Sequence, residues 1–231
     1  MEKLRVKVWD LPTRLFHWSL VTLVVAAFAT GLVGGNWIEV HGRLGLAIAG
    51  LLAFRLVWGV IGSTYARFAQ FVPGPARVLA YLRGQWHGLG HNPLGAFSVL
   101  GLLGLTLFQA ASGLASDDNI SFTGPLKALV TQETADALTG LHHLNAWLLA
   151  GLAGLHVASI VFYAVVKKDY LLPPMITGVK TVDDPMLVSA RGGGWLAFIV
   201  AVAIAAGVTW AAGGGLNPPP PPPLPQAAPA W

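Results

Sequence analysis

Residues 142–156 read HHLNAWLLAGLAGLH, and the architecture of the chain can be worked out from this stretch. It contains no Asp, Glu, Lys or Arg, and the same uncharged character continues to residue 166. A helix needs roughly 20 apolar residues to cross about 30 Å of hydrocarbon, and residues 142–166 meet that length. We therefore predict a membrane-spanning helix that carries a histidine near each face of the membrane.

Four other runs of the chain have the same character. The whole sequence of 231 residues is 55% hydrophobic and only 10% charged, whereas a soluble domain has about 25% charged residues. No soluble catalytic domain is expected, because the connections between the runs are short and lack strand patterning. We predict an all-α membrane protein with five spans, at residues 15–38, 44–61, 84–116, 142–166 and 192–217.

The distribution of basic residues predicts how the helices are oriented. Of the 14 lysines and arginines, 12 fall on the side of the membrane that holds the N-terminus, and only Arg43 and Lys127 fall on the other side. Because short cytoplasmic loops are enriched in Lys and Arg, we predict a multi-pass protein of the bacterial inner membrane with a cytoplasmic N-terminus. The net charge of +4 is therefore attributed to lipid contacts and not to nucleic acid.

The end of the chain differs in composition from the spans. Residues 218–223 are six consecutive prolines, which favour polyproline II and cannot form a packed core. We expect a four-helix domain at residues 6–180, an additional transmembrane helix at residues 192–214 and a proline-rich disordered tail at residues 215–231, on the periplasmic side. The chain has no cysteine, which excludes disulfides, iron–sulfur clusters and covalent c-type haem attachment.

The histidines carry the chemical signal. His142 and His156 are fourteen residues apart, and fourteen steps of about 100° bring both side chains to one face of a helix, about 21 Å apart along its axis. His143 points about 140° away from His156. In the predicted orientation, His17 lies at the depth of His156, and His41 lies at the depth of His142.

Two histidine pairs on facing helices follow from this placement: His17 with His156, and His41 with His142. A bare zinc or copper ion would need additional ligands, and neither pair has a carboxylate or thiol beside it. Haem iron takes one ligand from each side and comes with its own equatorial plane. The pattern predicts two haem b groups, one near each membrane face, which carry electrons across the bilayer.

A set of motifs, in order along the chain, gives a family resemblance. The motifs are VWDLPTRLFHW (8–18), HGRLG (41–45), RLVWG (55–59), GSTYARF (62–68), GHNPLG (90–95) and MITGVK (175–180). Over about residues 6–180 the chain resembles the bacterial cytochrome b561 and nickel–iron hydrogenase cytochrome b family. The resemblance implies a four-helix transmembrane haem-binding bundle between the quinone pool and a redox partner. It also implies axial haem ligation by His17, His41, His142 and His156.

The expected role is therefore that of an electron-transfer subunit and not of a self-contained enzyme. A quinone is the expected exchangeable substrate, and a periplasmic c-type cytochrome or a hydrogenase-like enzyme is the expected protein partner. Two other functions stay open. One is a proton-conducting channel in which buried histidines titrate, and the other is a haem-free membrane anchor for a soluble enzyme.

Arg55 is a further candidate for cofactor binding. It follows His41 by fourteen residues, so the two side chains lie on nearly the same helix face, with Arg55 near the inner membrane surface. Its guanidinium is suited to bind a haem propionate with two hydrogen bonds. An arginine that snorkels to the inner interface explains the same position equally well.

His87 and His91 are spaced four residues apart, which on a helix can indicate a metal site. The glycines between them and the Asn-Pro pair that follows argue against a helix in this segment. We therefore expect both histidines to lie in a surface loop.

Overall fold

The computed structural model describes residues 4–86, 88–184 and 186–217, so His87 and the predicted tail beyond residue 217 lie outside the described residues. Five segments are long and apolar enough to span a membrane, which confirms the all-α membrane fold. The elements are β1 (Leu4–Lys7), α1 (Leu11–Val33), α2 (Ile38–Ile61), α3 (Phe68–Phe71), α4 (Pro75–Leu82), α5 (Pro93–Ala115), α6 (Gln132–Phe162), α7 (Leu172–Thr177), β2 (Val179–Val182) and α8 (Trp195–Trp210).

Polar caps set where three of the spanning helices begin. Asp10 caps α1 by accepting the backbone N–H of Thr13 at 2.7 Å, and Asn92 caps α5 by accepting that of Gly95 at 2.7 Å. Thr131 caps α6 in the same way. Such caps satisfy N–H groups that have no partner inside the helix. As a result, α5 begins nine residues after the predicted start of its span, and α6 begins ten residues before.

A glycine pair separates the first two spans. Gly34 and Gly35 have φ angles of 64° and 55°, a left-handed conformation that glycine adopts without steric cost. For this reason α1 ends at Val33 and α2 begins at Ile38, whereas the hydropathy pattern extended the first span to residue 38 and began the second at residue 44. His41 consequently lies inside the first turns of α2.

Helix α2 lies at the centre of the bundle. It packs against α1, α5 and α8, and α5 packs in turn against α6. Buried apolar side chains of α2, among them Leu52 and Trp58, form the core of these contacts. Within the described part of the chain, α6 packs closely on only one spanning helix, α5. The histidines of α6 therefore face α1 and α2 across a space, because the backbone of α6 is not packed closely against either of these helices.

A short ribbon, which the sequence analysis did not predict, closes one end of the bundle. Strand β1 pairs antiparallel with β2, with Leu4 opposite Val182. The ribbon joins the chain that precedes α1 to the chain that follows α6. The indole N–H of Trp18 also donates to the carbonyl oxygen of Met175 at 3.2 Å, which joins α1 to α7. We call this end, where α1 begins and α6 ends, the N-terminal end, and the opposite end the far end.

Candidate functional site

Two histidines meet at the far end of the bundle. His41 of α2 and His142 of α6 have ring centres 6.0 Å apart and ring planes inclined at 84°. The ring of His143 lies 6.3 Å from that of His142, and its residue is exposed. The structure therefore brings together the histidines that the helix-phase argument paired, with His142 and not His143 facing His41.

Hydrogen bonds determine which nitrogen of each ring is protonated. His41 donates from Nδ1 to the carbonyl oxygen of Ala27 at 2.8 Å, because a carbonyl can only accept. Nδ1 of His142 lies 3.1 Å from the hydroxyl of Ser112, which gives its own proton to the carbonyl oxygen of Phe108 at 2.8 Å. Because the hydroxyl proton has this carbonyl acceptor, we assign the proton of the contact with Ser112 to Nδ1 of His142. With the proton on Nδ1, each ring keeps a lone pair on Nε2, the state that ligates a metal.

Small residues allow these rings to sit close to the neighbouring helices. A Cβ on Gly31 of α1 would lie 3.0 Å from Nδ1 of His41, and one on Gly113 of α5 would lie 2.8 Å from Cε1 of His142. No atom of the described chain lies within 4 Å of the place where Gly45 would carry a Cβ. Gly45 lines a cavity of about 240 Å³ beside the two rings. The site combines two imidazoles with adjacent open space.

The spacing of His41 and His142 fits a metal ion held between them. Metal–nitrogen bonds to imidazole are about 2.0–2.1 Å long, so one metal ion can be bound by two rings whose centres are roughly 6–7 Å apart. The observed separation is 6.0 Å. No group of three or more His, Cys, Asp or Glu side chains converges in the described chain. The donor set therefore suits a metal that brings its own equatorial ligands, as haem iron does.

The second predicted pair lies at the N-terminal end. His17 of α1 and His156 of α6 are within electrostatic range of each other. The hydroxyl of Ser98 lies 3.4 Å from Nδ1 of His156, and the ring of Trp18 packs edge-on against His17 at 5.0 Å. Nδ1 of His17 is sealed from solvent and has no hydrogen-bond partner among the described residues. Among the described residues, Nδ1 of His17 has no hydrogen bond and Nδ1 of His156 has only this long contact with Ser98.

Arg55 is buried at the same end of the bundle. The residue is 3% exposed, and its guanidinium carbon lies 4.7 Å from the centre of the Phe68 ring. Its Nη1 is buried and has no partner in the described part of the chain. The neighbouring carboxylate, Asp10, instead accepts the indole N–H of Trp58 at 3.0 Å and the backbone N–H of Thr13. An unpaired buried guanidinium is costly, so its burial favours the anion-binding interpretation of Arg55 over snorkelling.

His91 lies in the loop before α5, as predicted, but its side chain is half-buried between aromatic rings and not on the surface. Its ring lies between the rings of Trp9 and Phe71, at 4.7 and 4.9 Å. Burial, and then the charges of Arg55 and of the histidine pair at this end, lower the pKa of His91 to about 3. The ring is therefore neutral at physiological pH. The loop sequence carried no signal for this burial, because the aromatic rings that enclose His91 come from distant segments.

An ionised carboxylate organises the loop over the far-end cavity. The backbone N–H of Phe122, followed by those of Ile120 and Ser121, donates to Asp118 and lowers its pKa to about 2. Asp118 and Phe122 both line the cavity, and a Cβ on Gly42 would lie 2.7 Å from the Phe122 ring. The loop is therefore fixed against α2 at the mouth of the site.

Two serines of α5 were not singled out by the sequence analysis. Ser98 and Ser112 contact His156 and His142, and they are fourteen residues apart, as are the histidines. Because α5 and α6 are packed as antiparallel neighbours, an equal spacing keeps both contacts in register. The sequence did contain a signal for these serines, because their spacing of fourteen residues repeats the spacing of His142 and His156.

Five apolar spans and two imidazoles that face each other between helices are the features expected of a membrane cytochrome of the b type. The family model described as Prokaryotic cytochrome b561 matches residues 8–178. The chain belongs to the prokaryotic cytochrome b561 family. It is accordingly a multi-pass membrane protein that transfers electrons through haem b.

Curated relatives with B-type cytochrome names are similar to most of the chain. The probable Ni/Fe-hydrogenase B-type cytochrome subunit of Azotobacter vinelandii is 27% identical over 222 residues, which cover 78% of this chain and 90% of the relative. That of Rhizobium leguminosarum bv. viciae is 21% identical over 220 residues (80% and 92%). The probable Ni/Fe-hydrogenase 1 B-type cytochrome subunit of Escherichia coli K12 is 19% identical over 213 residues (75% and 90%). No solved structure matches the chain.

Proposed function

We propose that the protein passes electrons across the bacterial inner membrane through two haem b groups, one at each end of the bundle. The observation that carries this proposal is the pair His41 and His142, whose ring centres are 6.0 Å apart and whose Nδ1 atoms are engaged in hydrogen bonds. Membership of the cytochrome b561 family supports the choice of haem b over other metals.

The proposed roles of the residues follow from their contacts. His41 and His142 hold the haem at the far end, and His17 and His156 hold the haem at the N-terminal end. Haem b supplies a one-electron iron couple when it is bound. At the far end, the hydrogen bonds at Nδ1 of His41 and His142 orient the rings and raise the basicity of Nε2. Arg55 binds a propionate at the N-terminal end, where its buried Nη1 has no partner among the described residues.

The proposed electron partners are a quinone in the membrane and a redox protein at the periplasmic face. Several relatives are named as subunits of Ni/Fe-hydrogenases, which supports a hydrogenase-like partner over a c-type cytochrome for this chain as well. The excess of Lys and Arg at the N-terminal end supports a cytoplasmic location for that end and a periplasmic location for the far end.

Haem quantification on purified variants tests the ligand assignment. We expect the wild-type protein to contain two haems per chain, and His142→Ala to contain one, because loss of an axial imidazole removes the far-end haem. His143→Ala is the matched control and should retain both haems, since His143 is exposed and it is the ring of His142 that contacts that of His41. The measurement is the pyridine haemochrome spectrum per mole of chain. Substitution of His17, His41 or His156 by Ala should also leave one haem.

The result that would contradict the assignment is equal haem content in His142→Ala and His143→Ala. A wild-type content of one haem would contradict the two-haem proposal, and a content of zero would favour an anchor or a channel. Size-exclusion elution of each variant, together with the low-spin signal of the remaining haem in electron paramagnetic resonance, separates local loss of ligation from misfolding.

A further inference from the structure

The loop that precedes α5 inserts an imidazole into the bundle. Gly90, with a φ of 80°, turns the chain against Trp9 and Tyr65, and the next residue, His91, enters between the rings of Trp9 and Phe71. Nδ1 of His91 is sealed from solvent and has no hydrogen-bond partner in residues 4–86, 88–184 and 186–217. We assign the single N–H of the neutral ring to Nδ1, and because a buried donor without a partner costs about 1–3 kcal/mol, an acceptor is expected at this position.

Arg55 presents a second buried donor beside His91. Its guanidinium carbon lies 6.0 Å from the centre of the Phe71 ring, and the same ring lies 4.9 Å from that of His91. Nη1 of Arg55 is also without a partner among the described residues. Asp10 lies within electrostatic range of Arg55, but its two oxygens accept from Thr13 and Trp58, and it makes no direct contact with Nη1 of Arg55.

The location of these two donors indicates where the acceptor comes from. His91 lies within electrostatic range of Arg55, His17 and His156, the residues that we assign to the haem at the N-terminal end. A haem carries two carboxylates on one edge, and a carboxylate can accept hydrogen bonds from several donors at once. A carboxylate is also the partner for which a guanidinium is best suited.

We propose that His91 donates a hydrogen bond to the propionate that Arg55 binds, and so acts as a positioning residue that raises the reduction potential of the haem at the N-terminal end. This inference rests on the proposed two-haem function. The imidazole is neutral, as its lowered pKa requires, so it carries one N–H for this purpose. A donor that shields a propionate charge makes ferric iron less favoured relative to ferrous iron, since hydrogen bonding around the cofactor is one of the factors that set haem potentials.

Two substitutions of His91 separate the donor from the ring. His91→Phe keeps an aromatic ring between Trp9 and Phe71 but removes both nitrogens. His91→Asn keeps an N–H donor at the position of Nδ1 and removes the ring. The full-length protein with both haems bound is titrated potentiometrically, with the reduced haem absorbance as the signal.

We expect His91→Phe to shift one of the two haem transitions to lower potential and to leave the other in place. A shift of roughly tenfold in the one-electron equilibrium corresponds to about 59 mV. His91→Asn should lie close to the wild type. If His91→Phe loses that haem while His91→Asn keeps it at the wild-type potential, the donor role is supported as well.

Three results would overturn the inference. Unchanged potentials in both variants would show that the N–H does not act on a haem. Loss of the same haem from both variants would indicate a packing role. Unchanged potentials with loss of quinol oxidation in His91→Phe would place the donor on a quinone carbonyl. A wild-type protein without a haem at this end would refute the proposed function instead, and haem content separates the two cases.

Discussion

Two glycines determine the positions of the imidazole rings at the far end. Gly31 and Gly113 each lie very close to an imidazole ring. A Cβ added to Gly31 would lie 3.0 Å from Nδ1 of His41, and one added to Gly113 would lie 2.8 Å from Cε1 of His142, which is too close for an ordinary van der Waals contact. Hydrogen bonds to the backbone and to Ser112 then hold the rings in place. Ligand position therefore depends on residues that carry no functional group of their own.

Gly113→Ala tests this dependence. The new methyl group should displace the ring of His142, because the ring cannot retreat without breaking its hydrogen bond to Ser112. We expect haem content to fall from two toward one per chain, or the low-spin signal of one haem to shift. Gly104→Ala on the same helix is the control, since no described atom lies within 4 Å of its Cβ position. A wild-type spectrum for Gly113→Ala would contradict this account.

At the level of elements, helix α8 lies outside the region that the family model matches, yet it packs directly on α2. Phe198 of α8 contacts the rings of Phe54 and Trp58 at 5.9 and 6.2 Å. At Gly50 of α2 the side chain of Thr209 occupies the space that a Cβ would need. Helix α8 therefore packs on a side of α2 that does not carry the proposed haem ligand His41.

Gly50→Val should loosen α8 without removing haem. Overpacking of this kind typically costs about 1–3 kcal/mol, so the midpoint of thermal unfolding should fall. Haem content should stay at the wild-type value, because no haem ligand belongs to α8. Gly207→Val on α8, where no described atom lies within 4 Å of the Cβ position, should leave the midpoint unchanged. Loss of haem from Gly50→Val would show instead that α8 supports the haem sites.

On the scale of the whole molecule, the charge distribution predicts that the N-terminal end faces the cytoplasm. The chain has no cysteine, so single cysteines can report which end faces outward. Ile120 in the far-end loop is 93% exposed, and Leu82 at the end of α4 is 68% exposed. In cells with a permeabilised outer membrane, a membrane-impermeant maleimide should label Ile120→Cys and not Leu82→Cys. Labelling of Leu82→Cys alone would reverse the proposed topology.

The number of spans and the pairing of His41 with His142 could be predicted from the sequence. Hydropathy over about 20 residues and rotation of about 100° per residue are local properties, so they do not depend on how the helices pack. The helix ends were predicted less well. Residues 132–141, half of which are polar, extend α6, and a glycine pair divides α1 from α2. Neither effect changes the mean hydropathy of a span.

Only the tertiary structure decided the surroundings of Arg55 and His91. From the chain alone, Arg55 was equally well explained as a propionate-binding residue or as a snorkelling arginine, and His91 was expected to be a surface-loop histidine. Their burial depends on Phe68, Phe71 and Trp9, which come from separate segments and meet only when α1, α2 and the loop before α5 are packed. Whether a buried donor has a partner is a property of that packing, because every nearby acceptor must be placed before one can be found missing.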